Sequence, residues 1–139
     1  PDKAYFGEKD FQQLVIIKHL VKEYGLKTQV VPCPIVREAS GLAMSSRHQR
    51  LSVEDRIKAA NIYRILTESL RLKEEPIQDI KYYVINEINK IDGFKLDYYE
   101  IVDDMTLQPV EFQDLSTGII GCIAVYVGEV RLIDNIRYK

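Results

Sequence analysis

The chain has 139 residues, 46% of them hydrophobic, which suits one compact domain with a buried core. Its 19 Lys and Arg against 21 Asp and Glu leave a formal charge of −2, arguing against the basic face of a nucleic-acid binder while leaving room for a small local cluster of cations. No apolar run approaches the ~20 residues of a membrane span, so neither nucleic acid nor membrane is an expected partner.

Cys33 and Cys122 lie far apart in apolar segments without CxxC spacing. They read as free, reduced thiols, which predicts a cytoplasmic chain. His19 and His48 stand too far apart to suggest a metal site, and none is expected. The sequence opens on Pro1-Asp2-Lys3-Ala4-Tyr5-Phe6 and reads as a piece of a longer protein.

Gly7-Glu8-Lys9-Asp10 precedes Phe11, Leu14, Ile17, Val21 and Tyr24 at helical spacing, with Ile16 and Leu20 widening the apolar stripe. The pattern predicts a helix from about Asp10 to Tyr24, with Asp10 at its N-cap or first turn and Gly25 as its stop. Gly7 and Lys9 then sit where helix amides and the helix dipole favour anions, although Gly-Glu-Lys-Asp is also an ordinary helix start. His19 falls mid-helix and reads as structural. Thr28–Val31 predicts a short strand ended by Pro32 and Pro34, suited to the edge of a parallel sheet. Only one such helix–strand unit is visible, so the rest of a nucleotide-binding sheet is expected upstream of Pro1.

Gly41-Leu42-Ala43-Met44-Ser45-Ser46-Arg47 follows. Ser45 and Ser46 can each donate a hydrogen bond to a phosphate oxygen, and Arg47 offers a planar fork that pairs with phosphate through two bonds. On composition alone, the stretch is an exposed polar loop. Ser52 is a good N-cap for a helix from about Val53 to Lys73, with Ala59, Ile62, Leu66 and Leu70 on one face. Pro76 opens a further helix striped by Ile77, Ile80, Val84, Ile88 and Ile91. The period then changes. Lys95–Val102 predicts a strand with Leu96, Tyr98 and Val102 on one face, and Ile119–Val127 a strand covered on both sides. Gly128-Glu129 joins the latter to Val130–Ile136 through a type II′ hairpin. Asp103 and Asp104 close a strand, and nothing places them in a cleft for acid–base work. The expected fold is α+β: helices packed on a small antiparallel three-stranded sheet, preceded by a remnant helix–strand unit.

Gly-Glu-Lys-Asp-Phe-Gln-Gln at 7–13, upstream of Arg37-Glu38-Ala39-Ser40-Gly41-Leu42-Ala43-Met44-Ser45-Ser46-Arg47, forms a specific pair of motifs. With Tyr99-Glu100-Ile101-Val102-Asp103 and Thr106-Leu107, the chain resembles the pantoate–β-alanine ligases over its whole length. The resemblance implies a nucleotidyltransferase of the Rossmann-like superfamily, related to class I aminoacyl-tRNA synthetases, whose Lys-Met-Ser-Lys-Ser loop corresponds to Met44-Ser45-Ser46-Arg47. Residues 1–36 would be a remnant of the N-terminal domain and 37–139 the C-terminal domain.

The implied substrates are pantoate, β-alanine and ATP with Mg2+. Pantoate would attack the α-phosphorus to give pantoyl adenylate, and β-alanine would then displace AMP. Lys9, Ser45, Ser46 and Arg47 would meet phosphate oxygens, and Gly7, Glu8 and Asp10 would contact the nucleotide. Val36 and Met44 would touch the adenine side, and Gln13 would bind pantoate. The family's catalytic His-x-Gly-His motif and upstream glutamine are absent from this sequence, so no catalytic residue is expected within the chain, and alone it is expected to be inactive.

Three positions depart from the family: His48 stands where asparagine is usual, Ser40 where Asp is frequent, and Asp104 where Pro is frequent. His48 reads as a loop position with an unusual backbone shape. The family homodimer would be built mainly by the other half, and residues 1–36, lacking sheet neighbours, are expected either to self-associate or to be disordered. A noncatalytic nucleotide-binding or interaction module with the same fold is the alternative. A tRNA synthetase fragment fits less well, given the acidic balance and the two serines.

Overall fold

The computed structural model describes residues 1–139 as three α-helices, a two-stranded parallel sheet and a three-stranded antiparallel sheet, the expected α+β class. β1 (Lys3–Gly7) runs into a single helical turn at Glu8–Asp10 and then α1 (Phe11–Glu23). β2 (Gln29–Cys33) returns parallel to β1, with Lys3 opposite Gln29 and Gly7 opposite Cys33. The N-terminal unit is therefore strand–helix–strand, not the lone helix and strand expected from sequence. β1 escaped notice because Lys-Ala-Tyr-Phe-Gly is short and carries no run of β-branched residues. Nor does Pro32 end β2. It lies inside a strand whose far side is an open edge, where the missing N–H costs no ladder bond.

α1 ends just before Gly25, the stop the sequence predicts. Gly25 takes φ +60°, and the amides of Leu26 and Gly25 close onto the carbonyls of Val21 and Lys22. α2 (Val53–Ser69) begins at Ser52, whose Oγ accepts from the Asp55 amide at 3.0 Å. The helix is shorter than expected and tightens into a helical turn at Leu70–Leu72. α3 (Ile77–Asn89) follows Pro76.

β3 (Phe94–Asp103), β4 (Ile119–Val127) and β5 (Val130–Arg137) form the antiparallel sheet, in that order. At the β4–β5 hairpin Gly128 has φ +58° and Glu129 does not share the positive φ, as a type II′ turn requires.

The three-stranded sheet is covered on both faces. Ile62, Ile65 and Leu66 of α2 and Ile80, Val84 and Ile88 of α3 pack on Tyr99, Ile101, Ile119, Ile123 and Val125. On the other face Phe11, Leu14 and Val15 of α1 pack on Val102, Ile120 and Cys122. α1 thus has a sheet partner after all. One expected face was wrong: a bulge in β3 between Leu96 and Tyr98 reverses the alternation. Leu96 shares the α2–α3 side with Tyr99 and Ile101, whereas Tyr98 and Val102 face α1. No helix is long and apolar enough to cross a membrane.

Candidate functional site

The Met-Ser-Ser-Arg loop is carried on a tight ribbon. Arg37 bridges Ala43, the Met44 amide donates to the Val36 carbonyl at 2.9 Å, and the Gly41 amide donates to Glu38 at 2.9 Å. Gly41 sits at φ +87° with the Tyr63 ring where a Cβ would stand, so only glycine fits there. Leu42 and Ala43 bury beneath it, which plants the ribbon on the core. Beyond them Ser45 is extended, and its Oγ accepts from the Arg47 amide at 3.2 Å, starting the helical turn Ser46–Arg50. The Ser45 hydroxyl hydrogen stays free to donate.

His48 corrects the sequence reading. It is not a position of strained backbone, since Leu107 is the one non-glycine residue with positive φ. It is buried, with Nδ1 2.9 Å from Glu38 Oε1, and Glu38 also accepts from Arg56 at 2.8 Å. A carboxylate can only accept, so His48 carries a proton on Nδ1 and donates it. The hydrogen bonds from Arg56 and His48 hold the Glu38 carboxyl below its ordinary pKa. His19, by contrast, is structural as expected, its Nε2 2.7 Å from the Met105 carbonyl.

The second segment comes from the turn between β1 and α1. Asn135 of β5 donates from Nδ2 to the carbonyls of Glu8 at 2.8 Å and Lys9 at 3.1 Å. Lys9 reaches across, and its Nζ donates to the Met44 carbonyl at 3.1 Å. Arg47 donates to the Arg131 carbonyl at 3.2 Å. Lys9, Asp10, Ser45 and Arg47 therefore line one cleft of about 200 Å³ together with Arg131, Leu132 and Ile133. An adjoining cleft of about 220 Å³ shares Lys9, Asp10, Arg131 and Ile133, and extends past Gln12 and Gln13 to Tyr98 and Asp134. Burial holds the Lys9 ammonium below the ordinary lysine pKa. Asp10 and Asp134 pull it up, while Arg47 and Arg37 push it further down.

Asp10 occupies the N-cap position of α1 without a capping bond, so its carboxylate is uncommitted. Val36 and Met44, joined through their backbones, are 65% and 55% exposed and form a small apolar shelf. Gly7, Glu8 and Ser46 do not line either cleft: Gly7 ends β1, Glu8 offers its carbonyl to Asn135, and Ser46 opens the helical turn in an exposed position. Asp103 and Asp104 lie elsewhere. Asp103 Oδ1 accepts from the amides of Met105 and Thr106, and Asp104 pairs with Arg137 at 2.8 Å. No group of three or more His, Cys, Asp or Glu side chains is placed to hold a metal ion.

Sequence reasoning missed Arg131, Asp134 and Asn135. Asp134 takes both Arg37 nitrogens, at 2.7 and 2.9 Å, and the Arg37 guanidinium stacks 3.8 Å over the Tyr63 ring. A signal for the pair did exist: two adjacent polar residues interrupt the apolar pattern of β5, and both are buried.

Fold and cleft define a class: an α+β module that turns lysine, arginine and serine donors toward one anion-sized opening. The pantoate-β-alanine ligase family profile matches residues 1–137, and the chain belongs to that family. It is 49% identical to the pantothenate synthetase of Bacteroides thetaiotaomicron, over all of this chain and 50% of that protein. The pantothenate synthetase of Clostridioides difficile is 45% identical, again over all of this chain and 50% of that protein. The chain thus spans about half the length of the curated relatives it matches. A Thermus thermophilus pantothenate synthetase crystal structure superposes with a TM-score of 0.92 at 36% identity, over 99% of this chain and 50% of that one. A Francisella tularensis pantoate-β-alanine ligase, complexed with β-γ ATP and β-alanine, superposes with a TM-score of 0.68 at 32% identity, over 99% of this chain and 44% of that one.

Proposed function

We propose that the chain is the C-terminal part of a pantoate–β-alanine ligase and forms the phosphate side of its active site. The observation that carries this reading is the bond from Lys9 Nζ to the Met44 carbonyl, which holds the two anion-seeking segments against one cleft that Arg47 also lines. The carbonyl is a neutral acceptor, so the charges of Lys9 and Arg47 still call for an anion.

Adenylation of pantoate places growing negative charge on the α-phosphate and the departing pyrophosphate. Lys9, Arg47 and the Ser45 hydroxyl line the cleft as donors that meet this charge, and Ser46, exposed beside them, would add its hydroxyl from the rim. Asp10, next to them and uncapped, would accept from the ribose, and the Val36–Met44 shelf would lie under the adenine. Gln13, one helical turn along α1 from Lys9 and Asp10, would hold pantoate with a neutral donor and acceptor. Mg2+ would travel with the triphosphate and neutralise part of its charge. The cleft fits that arrangement, since it offers cations and hydroxyls to phosphate and no acidic cluster to a bare metal. β-Alanine would then release pantothenate and AMP.

Titrating the 139-residue chain with ATP and Mg2+, followed by amide shifts, should give weak saturable binding centred on residues 7–13 and 44–47. Lys9→Met and Arg47→Met should each weaken it about tenfold, the scale of one charge-assisted hydrogen bond. Incubation of the chain with pantoate, β-alanine and ATP should yield no pantothenate. Product from this chain alone would overturn the idea that it holds only part of the active site.

A further inference from the structure

We infer that Asp134 and Asn135, adjacent on β5, are positioning residues that fasten the Arg47 loop and the Lys9 segment to the same strand edge and so set the gap that receives the phosphates. The inference rests on the proposed phosphate site.

Four observations carry it. First, β5 is an outer strand of the three-stranded sheet, so chain can pass around its free edge on either face. Second, neighbouring side chains on a strand point to opposite faces. Val130 and Leu132 sit in the core under α2 and α3, so Asp134, in step with them, serves that side, where Arg37 lies against Tyr63 of α2. Asn135, opposite Cys122, serves the α1 side. Third, each residue spends its polar atoms on one segment. Asp134 holds Arg37 through both oxygens, and Arg37 Nη1 also donates to the Gly41 carbonyl at 3.0 Å, at the root of the Met-Ser-Ser-Arg loop. Asn135 donates from its side-chain Nδ2 to the carbonyls of Glu8 and Lys9, the two peptide groups that flank Lys9. Fourth, both side chains are buried, where such bonds are shielded from water and a lost partner is costly. The Asn135 backbone N–H also donates to Asp134 Oδ1 at 2.8 Å, which ties the two brackets together. Neither residue needs to touch the nucleotide, because they act through Lys9 and through Arg37.

Asn135→Asp tests this at nearly constant shape. A carboxylate cannot donate, so it would face two carbonyl oxygens and release the Lys9 segment. In the amide-shift titration with ATP and Mg2+, Asn135→Asp should weaken binding about tenfold, comparable to the loss of one charge-assisted bond. In a Lys9→Met background the same change should cost less than about twofold, since a residue acting through Lys9 has nothing left to place. Asn135→Ser, which keeps one donor on a shorter arm, should fall between, and it replaces the aspartate variant if that one does not fold. Equal losses in both backgrounds would overturn the positioning role and leave Asn135 a general stabilising residue. An Asn135 variant that folds and binds ATP unchanged would overturn it as well. If Lys9→Met alone leaves binding intact, the phosphate site itself is wrong, and the inference falls with it.

Discussion

At Lys9, burial and anion binding pull in opposite directions. Burial lowers the pKa of the amine, so it gives up its proton at a lower pH than the ordinary value of about 10.4. A neutral amine offers the phosphates no charge. ATP affinity should therefore fall as pH rises through the lowered Lys9 pKa, before an ordinary lysine would titrate. Binding constants measured between pH 7 and 10 check this, and Lys9→Arg should flatten the decline because a guanidinium stays charged throughout. A decline of the same size in the arginine variant would assign it to another group. Lys9 was legible as an anion seeker from its place before a helix. Its burial was not, because the groups that cover it come from β5 and from the loop after Gly41, far away in sequence.

Within elements, the stripes of α2 and α3 and the start signal at Ser52 were readable because helices bury one face at a fixed period. The bulge in β3 was not readable. An extra residue shifts the alternation by one without altering composition, so Leu96 and Tyr98 look alike in sequence yet lie on opposite faces. The ribbon from Val36 to Met44 hid for a similar reason: only three backbone bonds hold it, and it closes around a glycine. Gly41→Ala should destabilise the chain by about 2 kcal/mol, combining a left-handed backbone with displacement of the Tyr63 ring. Urea unfolding measures the loss. ATP binding should weaken in parallel, since Arg37, stacked on that ring, loses its seat. An unchanged urea midpoint would show that the ring moves aside freely.

Across the whole molecule, the antiparallel sheet is covered on both faces, whereas the parallel sheet has only two strands. α1 covers the antiparallel sheet with Phe11, Leu14 and Val15, yet Ile16 and Leu20 along the same helix and Tyr24 and Leu26 just beyond its end remain exposed. β1 and β2 form a two-stranded parallel pair, a kind of sheet that is normally covered on both faces and flanked by further strands. Such a surface favours self-association through residues 1–36. Sedimentation at rising concentration should show a reversible dimer or larger species, and the pair Ile16→Lys with Leu20→Lys should return it to monomer. A wild-type chain that stays monomeric at 100 μM (roughly the range where weak dimers show) would set that expectation aside.

The sequence by itself determined the family, the order of most elements and the residue types that seek an anion, because helical periods, turn residues and short charged motifs are local properties of a chain. Tertiary structure alone decided that Lys9 and Arg47 share a cleft, that His48 is a buried partner of Glu38, and that Asp134 and Asn135 bind both segments to one strand. These facts depend on which distant segments meet across a sheet edge. That meeting follows from the packing of all three helices and the register of β4 with β5, which no stretch of sequence records by itself.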